Sequence, residues 1–466
     1  MSFGFETLDR MFKPASVAVV GASESPLKLG YYVMESLRAF DFRGPVYPVN
    51  PGAGEIMGRP SFASLADIPD PVDLVVIVVP AERVLEVIVD CAAKGVKGIV
   101  IITSGFREIE DQAGEALQAR IAETATRAGI PIIGPNTFGF VNCRWNLNAT
   151  FSPNFNNQPG DIAMVAQSGG MTGAIMNNFR DSRLGFSKVV GLGNRCNTDF
   201  ADIVEYLLHD DETRVICSYM EGIDEPKRFF QVARKRNGGK PIAVYKSGRF
   251  SRGSLATRSH TGSIAGRHEI YQAAFKQAGI ITVDSSEELA DTARVLRRSV
   301  LPRGNRVAIL VAQAGLGIVA SDVCESRGLR IPTLTGRTRE VIENLLPPMS
   351  YRGNPIDLAL GWYFPDLPVR IMGALADDPE IDAMIILILF GGANVAMLEQ
   401  MSPAMLEAKD RKPIVTCFAG AGRDFEDRIA SLEEQGIVNY PTPERAAVAL
   451  SNLVRHANWV GRKNQT

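Results

Sequence analysis

One histidine of this chain lies in surroundings that suit phosphoryl chemistry. His260 is one of four histidines and stands in the sequence Ser-His-Thr-Gly-Ser-Ile-Ala-Gly, residues 259–266. Apolar residues at helical spacing follow from Ile270 and stop at Gly279, which predicts a helix directly after the histidine loop. Because a helix N-terminus attracts anions, the imidazole is predicted to lie near a phosphate-binding position. A loop histidine packed by chance among small residues is the alternative interpretation.

An internal repeat favours the catalytic interpretation. The sequence Val-Ala-Gln-Ser-Gly-Gly at 165–170 recurs as Val-Ala-Gln-Ala-Gly-Leu-Gly at 311–317, and Lys-Pro-Ile at 240–242 recurs at 412–414. The span from Lys412 to Gly436 in the second copy is about 15 residues shorter than the span from Lys240 to Gly279 in the first. The missing stretch falls where the first copy holds His260. A scaffold alone does not require that loop.

A carboxylate distinguishes the two copies in the same way. Glu221 follows the apolar run 215–220, which predicts a strand whose end lies at the ligand-binding edge of a sheet. In the second copy, Gly391 is the residue that aligns with Glu221. The first copy therefore holds both a histidine and a carboxylate that could act together, and the second holds neither. A strand-end glutamate in solvent is the alternative for Glu221.

Length, charge and cysteine content limit the functional classes. A chain of 466 residues suggests about three domains. The formal net charge of −2 provides no basic face for nucleic acid or anionic membrane. Six cysteines without CxxC spacing argue against a metal site or disulfide framework and for a reducing compartment. Without a leader-like N-terminus or a long apolar stretch, we expect a soluble cytoplasmic protein.

Short apolar runs alternate with helical segments, which is typical of parallel sheets covered by helices. We predict an α/β fold of three domains, residues 1–142, 161–298 and 304–466, with an Asn- and Pro-rich linker at 151–160. Runs in the first domain predict strands at 16–20, 46–49, 74–79, 98–102 and 131–133.

Small and polar residues follow several of these strands. Because strand ends share one edge of a parallel sheet, they predict a ligand crevice there. The glycines after the first strand do not form a clean GxGxxG, so a tight turn without a ligand explains them equally well. The crevice residues are Gly21, Ala22, Ser23, Lys28, Pro80, Thr103, Ser104 and Gly105.

The whole chain resembles the alpha subunits of ADP-forming (NDP-forming) acyl-CoA synthetases such as acetate–CoA ligase, and its first two domains resemble the succinyl-CoA synthetase alpha subunit. The resemblance implies a Rossmann-like CoA-binding domain followed by two flavodoxin-like, succinyl-CoA synthetase-like domains. Its motifs occur in family order, at 21–23, 47–51, 68–74, 134–136, 167–169, 221–223, 246–249, 259–266 and 353–358.

The resemblance assigns roles to the candidate catalytic residues. The histidine that matches His260 is phosphorylated in this family and carries phosphoryl between an acyl phosphate and a nucleoside diphosphate. Glu221 matches the carboxylate that accepts the hydrogen bond of the other imidazole nitrogen and so fixes the tautomer. The phosphate-binding candidates are Ser168, Gly169, Gly170 and Gly262. The Ser-Gly-Gly triplet could alternatively be a helix N-cap whose small residues permit close packing.

The resemblance also implies CoA as a ligand and an acyl-carboxylate pocket in the third domain. The CoA-binding candidates are Gly21, Ala22, Ser23, Lys28, Asn50, Pro51, Pro80, Thr103, Ser104, Gly105 and Asn136. The acyl-substrate candidates are Gly315, Leu316, Gly317, Gly391 and Gly392. Two positions depart from the family: Thr137 replaces a frequent cysteine, and residues 52–54 lack a CoA-binding lysine that Lys28 or Arg59 would have to replace.

The chain has no recognisable nucleotide-binding machinery. Three α/β units account for its length, and no GxxxxGK loop occurs. We therefore expect a hetero-oligomer in which a separate ATP-grasp beta subunit binds ATP or ADP with Mg, and a reversible reaction of carboxylate, CoA and ATP to acyl-CoA, ADP and phosphate. The alternatives are a nicotinamide-dependent dehydrogenase and a CoA-responsive regulatory module without catalysis.

Overall fold

The chain folds into two compact units, residues 1–286 and 287–466. The computed structural model describes residues 3–463 except 110, 157, 180–183, 237–238, 251–252, 254–267, 360, 362–363, 365 and 392–394. In this part of the chain no helix is both long and apolar enough to cross a membrane.

The first unit contains two sheets, and the first sheet has five parallel strands in the order β2–β1–β5–β6–β7. Its strands are β1 (Val17–Val20), β2 (Val46–Val49), β5 (Leu74–Ile77), β6 (Gly98–Ile101) and β7 (Ile132–Ile133). A short hairpin pairs β3 (Glu55–Ile56) with β4 (Arg59–Pro60). The helices are α1 (Phe5–Phe12), α2 (Leu29–Ala39), α3 (Ala81–Lys94) and α4 (Gln112–Arg127).

Successive residues of these strands belong to different cores. Val17 and Val19 pack in one hydrophobic cluster, whereas Ala18 and Val20 pack in another. Since side chains alternate between the two faces of a strand, both faces of the sheet are covered. This explains why the strands are continuous apolar runs in the sequence.

The second sheet of the first unit has seven strands in the order β14–β13–β12–β10–β11–β8–β9. Strands β10 to β14 are parallel, and the β8–β9 hairpin adds antiparallel to β11. The strands are β8 (Gly139–Asn142), β9 (Leu147–Thr150), β10 (Pro159–Ala166), β11 (Phe186–Gly191), β12 (Val215–Met220), β13 (Ile242–Lys246) and β14 (Ile281–Val283). The described helices are α5 (Gly169–Asn177), α6 (Phe200–His209), α7 (Pro226–Lys235) and α8 (His268–Gln277).

The sheet boundary differs from the domain boundary expected at residue 142. The chain leaves the first sheet after β7 and enters the second at β8, because Asn142 pairs with Lys188 of the later strand β11. Part of the expected linker is also a strand, since β10 begins at Pro159. The last helix assigned to the predicted middle domain falls mostly in the second unit, which begins at Glu287.

The second unit contains a five-stranded parallel sheet in the order β16–β15–β17–β18–β19. Its strands are β15 (Val307–Val311), β16 (Ile356–Asp357), β17 (Ala383–Leu389), β18 (Ile414–Ala419) and β19 (Val438–Asn439). Its described helices are α9 (Ser286–Arg298), α10 (Ala314–Ser326), α11 (Gly336–Leu345), α12 (Asp366–Asp377), α13 (Val395–Ala408), α14 (Arg423–Glu434) and α15 (Pro443–Lys463).

The internal repeat corresponds to these last two sheets. Strands β10 to β14 and β15 to β19 have the same order, in which the second strand lies on one side of the first and the other three on the opposite side. The lysine shared by the two copies also has the same role. Lys240 and Lys412 each donate from Nζ to two main-chain carbonyls at the end of a preceding helix. The repeated sequence therefore encodes a repeated structure.

Candidate active site

A cavity of about 510 Å³ lies at the carboxyl edge of the first sheet, beside the switch between β1 and β5. Gly21 follows β1 with a φ of 94°, a conformation that glycine adopts without strain. A Cβ atom on Gly30 would lie 2.0 Å from the Gly21 carbonyl oxygen, so only glycine lets α2 start against this turn. The predicted CoA-binding residues that line the cavity are Gly21, Ala22, Lys28, Asn50, Pro51 and Pro80.

The charges around this cavity are unevenly distributed. Helices α2 and α3 both begin beside it, and their N-termini carry partial positive charge. Lys28 and Arg83 line the same region. Glu86 and Asp90 line the part further along α3, where burial and then the Glu86 charge raise the pKa of Asp90. An anionic ligand is therefore favoured at the helix starts and disfavoured further along α3.

Asn50 connects the loops that follow β1 and β2. Its Nδ2 donates to the Ala22 carbonyl at 2.9 Å, and its Oδ1 accepts from the Gly52 N–H at 2.9 Å. The position after the second strand, where a dehydrogenase would hold an acidic residue against a ribose, thus carries an amide already engaged with the main chain. This arrangement disfavours the dehydrogenase interpretation.

A second cavity, of about 830 Å³, brings together residues from both sheets of the first unit. Ser104 and Asn136, predicted to bind CoA, line it together with Ser168, Gly169 and Gly170, predicted to bind phosphate. Leu29 lines this cavity and also the smaller one, so the two cavities meet at the start of α2. Two sets of residues that are far apart in the sequence therefore share one space.

The N-terminus of α5 opens into this larger cavity. Ser168 is the N-cap residue, and its Oγ accepts from the Met171 N–H at 3.4 Å. A Cβ atom on Gly170 or Gly173 would meet nothing within 4 Å. Close packing therefore does not explain these glycines, although Ser168 does cap the helix as the alternative interpretation required. The glycines leave the helix start open to a ligand.

Glu221 lies directly after β12 and is buried, with 7% of its surface exposed. Its N–H donates to Oε1 of Gln167, which lines the larger cavity. The Tyr219 hydroxyl donates to Glu221 Oε1 at 3.3 Å. The interpretation of Glu221 as a strand-end residue in solvent is therefore wrong.

Lys246 holds the main chain of Glu221 from the neighbouring strand β13. Its Nζ donates to the Glu221 carbonyl at 2.7 Å and lies 5.0 Å from the Tyr271 ring centroid. Burial lowers the pKa of Lys246 to about 8, although the Glu221 charge opposes this shift. A buried cation and a buried carboxylate thus lie at the ends of adjacent strands.

His260 and Gly262 lie outside the described residues, as does Gly392. The chain enters the histidine segment from the end of β13, next to the strand that leads to Glu221. It continues into α8, whose bounds match the helix predicted to follow the histidine.

Three other predicted CoA-binding residues make hydrogen bonds within their own loop or to the neighbouring loop, and they do not line either cavity. The Ser23 Oγ accepts from the Ser25 N–H, Thr103 Oγ1 donates to the Val79 carbonyl, and the Gly105 N–H donates to Glu108 Oε1. They shape the turns that carry the lining residues.

Comparison with known proteins agrees with this geometry. Residues 15–142 match the family described as CoA binding domain, residues 159–296 the succinyl-CoA ligase like flavodoxin domain, and residues 307–462 the ligase-CoA domain. The chain is 38% identical over 458 residues to the alpha subunit of ADP-forming acetate–CoA ligase II from Pyrococcus furiosus, covering 97% of this chain and 99% of that one. The chain belongs to the family of ADP-forming acetate–CoA ligase alpha subunits.

Other members of this family extend the comparison. A solved structure of the dinucleotide forming acetyl-coenzyme A synthetase 1 from Ca. Korarchaeum cryptofilum, in complex with phosphate and ADP, superposes with a TM-score of 0.88 at 35% identity, covering 98% of this chain and 99% of that chain. ADP-forming acetate–CoA ligase I from Archaeoglobus fulgidus is 37% identical, but the matched region covers 97% of this chain and only 64% of that protein.

Membership of this family confirms the expected fold, a CoA-binding domain followed by two succinyl-CoA ligase-like domains. It also confirms the expected activity, a nucleotide-dependent ligation of an acid to CoA. This activity accordingly uses CoA and ATP or ADP, and the alpha-subunit relatives indicate a partner subunit.

The described residues of the predicted acyl pocket lie at the carboxyl edge of the sheet in the second unit. Gly315 and Gly317 are in the first turn of α10, directly after β15, and Gly391 follows the adjacent strand β17. A Cβ on Gly315 or Gly391 would meet nothing within 4 Å, whereas one on Gly317 would lie 3.0 Å from a Val311 methyl group. Gly317 therefore serves helix packing, as does Leu316, which packs against the core.

Gln167 and Asn194 are among the residues of the larger cavity that were not predicted as site residues from the sequence. Asn194 donates from Nδ2 to Gln118 Oε1 at 3.0 Å and to Glu108 Oε2 at 2.5 Å. The recurrence of glutamine before both helix starts was the available signal for Gln167, whereas nothing in the local pattern marks Asn194.

Proposed function

We propose that this chain is the CoA-binding and phosphoryl-carrying subunit of an ADP-forming acid–CoA ligase that works through phospho-His260. The observation that carries the proposal is the 830 Å³ cavity, in which Ser104 and Asn136 face the open start of α5. The cavity is large enough for the reactive end of CoA and a phosphate group together. Glu221 is buried beside it and is held by Gln167, a lining residue.

CoA binds along both cavities in this proposal. Its phosphates lie where α2 and α3 begin, near Lys28 and Arg83, and its thiol end reaches Ser104 and Asn136. Leu29 marks the passage between the cavities. Lys28 takes the place of the family lysine that residues 52–54 lack. Thr137 replaces the family cysteine with a buried hydroxyl that donates to the Gly191 carbonyl.

The phosphoryl group moves in two displacements. An imidazole nitrogen of His260 attacks the γ-phosphorus of ATP, the bond to the ADP oxygen breaks, and ADP leaves. The substrate carboxylate then attacks phosphorus, the phosphorus–nitrogen bond breaks, and acyl phosphate forms. The CoA thiolate attacks the acyl carbon and inorganic phosphate leaves. Glu221 accepts the hydrogen bond of the second imidazole nitrogen and stabilises its positive charge.

The remaining assignments follow the same scheme. Ser168, Gly169, Gly170 and Gly262 bind the phosphoryl group, and the acyl pocket lies at Gly315, Gly391 and Gly392, with Leu316 and Gly317 supporting it through their packing. We keep the expected domains, 1–142, 161–298 and 304–466, as divisions of the sequence, although β8 pairs into the second sheet and residues 287–298 belong to the second compact unit. The partner is an ATP-grasp beta subunit that supplies ATP or ADP with Mg in the cytoplasm. The match to this chain covers only 64% of the longer single-chain relative from Archaeoglobus fulgidus. The unmatched part of that relative supports the proposal of a partner subunit for this chain.

Phosphorylation of His260 is the direct test. The chain mixed with the partner subunit and ATP should acquire an acid-labile, base-stable phosphate, and the chain alone should not. His260→Asn should abolish labelling and leave CoA binding largely intact by isothermal titration. His209→Asn, at the end of α6, is the matched control and should label normally. Label on His209, His268 or His456, or turnover by His260→Asn, would show that the proposed mechanism is wrong.

A further inference from the structure

The side-chain amide of Gln167 has hydrogen-bond partners at its oxygen but none at its nitrogen among the described residues. Its Oε1 accepts from the main-chain N–H groups of Glu221 at 3.0 Å and Gly222 at 3.1 Å. Two N–H donors identify this atom as the oxygen, so the other terminal atom is the amide nitrogen. That Nε2 is buried and has no hydrogen-bond partner in the described part of the chain. The side chain, 6% exposed, lines the larger cavity.

The internal repeat supplies a matched residue with a different environment. Gln313 lies directly before the first residue of α10, and Gln167 lies two residues before the first residue of α5. Its Oε1 accepts from the Leu389 N–H at 2.9 Å, and its Nε2 donates to the Leu389 carbonyl at 3.2 Å. Both ends of that amide are therefore used by the neighbouring strand. In the first unit the Nε2 of the corresponding glutamine, Gln167, has no acceptor among the described residues.

The surroundings of Gln167 select the ligand that this donor would bind. A buried donor without an acceptor costs free energy that a bound acceptor recovers. The neighbouring N-terminus of α5 favours an anion, and the open space at Gly170 gives room for one. Phosphoryl oxygens are acceptors that carry negative charge, so they satisfy both the helix start and the amide.

We propose that Gln167 is a phosphate-binding residue: its Nε2 donates to an oxygen of inorganic phosphate or of the transferred phosphoryl group at the start of α5. Its Oε1 meanwhile keeps the main chain of Glu221 in position. One side chain thus links the phosphate to the residue that orients the histidine. This inference deepens the proposed function and rests on the same cavity.

Gln167→Glu separates the two halves of this role. The substituted side chain can still accept from the Glu221 and Gly222 N–H groups, but its second oxygen cannot donate and repels an anion. Inorganic phosphate titrated into the full-length chain should bind 10- to 100-fold more weakly, roughly the effect of losing one hydrogen bond to a charged group. CoA affinity and melting temperature should stay close to those of the wild-type chain.

Gln313→Glu is the matched control, because it makes the same change where the amide is satisfied by protein. It should leave the phosphate affinity unchanged. Equal phosphate affinity in Gln167→Glu and wild type, or no phosphate binding by the wild-type chain, would overturn the inference. In the reconstituted complex, a loss confined to the KM for the carboxylic acid would also overturn it. These outcomes are independent of His260 labelling, which tests the proposed function.

Discussion

Replacement of Glu221 by glutamine should slow phosphoryl transfer to the histidine without moving the site. Glutamine keeps the size of the side chain and removes its charge. The main chain at this position is held from both sides, by Gln167 at the N–H group and by Lys246 at the carbonyl. Neither contact involves the carboxylate, so the substitution changes the electrostatics rather than the position.

The expected magnitude follows from the burial of Glu221, of which 7% is exposed. A carboxylate and an imidazolium about 4 Å apart attract each other by about 4 kcal/mol at an effective dielectric constant near 20. Losing that interaction in the transition state corresponds to a rate about 10³-fold lower, and loss of one such stabilising group typically costs about 10²- to 10³-fold.

Rapid-quench measurement of phosphohistidine formation with the partner subunit and ATP would give this rate. Glu225→Gln makes the same chemical change nearby, at a side chain that is 57% exposed and 3.7 Å from Arg228, and should react at the wild-type rate. If Glu221→Gln reacts within about threefold of the wild type while its circular dichroism is unchanged, the carboxylate does not support the imidazole and Glu221 leaves the site.

Two further changes test the CoA crevice and the second sheet. Gly30→Ala would force a Cβ to 2.0 Å from the Gly21 carbonyl and displace the turn, so CoA affinity by isothermal titration should fall about tenfold or more, whereas Gly54→Ala, with nothing within 4 Å, should bind normally. Lys188→Met would leave buried Asp210 without its ion-pair partner, now 2.8 Å away, and should destabilise the first unit by about 3–5 kcal/mol in urea. Arg214→Met removes a side chain that is 69% exposed and 3.7 Å from Asp161, and should cost less than about 1 kcal/mol. Burial alone would raise the pKa of Asp210, but hydrogen bonds from Lys188 and Thr213 lower it below its ordinary value. Its stabilising contribution is therefore present above about pH 4 and is lost as the pH falls through the lowered pKa. A stability difference between wild type and Lys188→Met that does not shrink as the pH is lowered below about 4 would contradict this assignment.

The parallel strands could be predicted from the sequence because their physics is local. A strand covered on both faces is a continuous apolar run, and the run 215–220 coincides with β12. The edge at which ligands gather could also be predicted, since parallel strands end together. Gly21 and Ser168 accordingly lie at cavities that their positions after strands implied.

The β8–β9 hairpin could not be predicted, because its partner is distant. Nothing near Asn142 indicates that it pairs with Lys188 or that its Nδ2 donates to the Phe12 carbonyl. The alignment of the two copies fails for a related reason. It places Gly391 opposite Glu221, whereas the strand registers, in which Val165 pairs with Ser218 and Val311 with Leu387, place Phe390 there. Gaps between strands carry no signal of where the strands end.

The two copies show how little separates a scaffold from a site. Both sheets have the same strand order, and both place a glutamine after the first strand against the main chain of the third. Where that strand ends in Leu389, the amide is satisfied by a single residue; where Glu221 follows it, the amide oxygen is engaged and the nitrogen has no partner in the described residues. The catalytic copy therefore differs from the other at the strand end, which is where a parallel sheet tolerates change without losing its core.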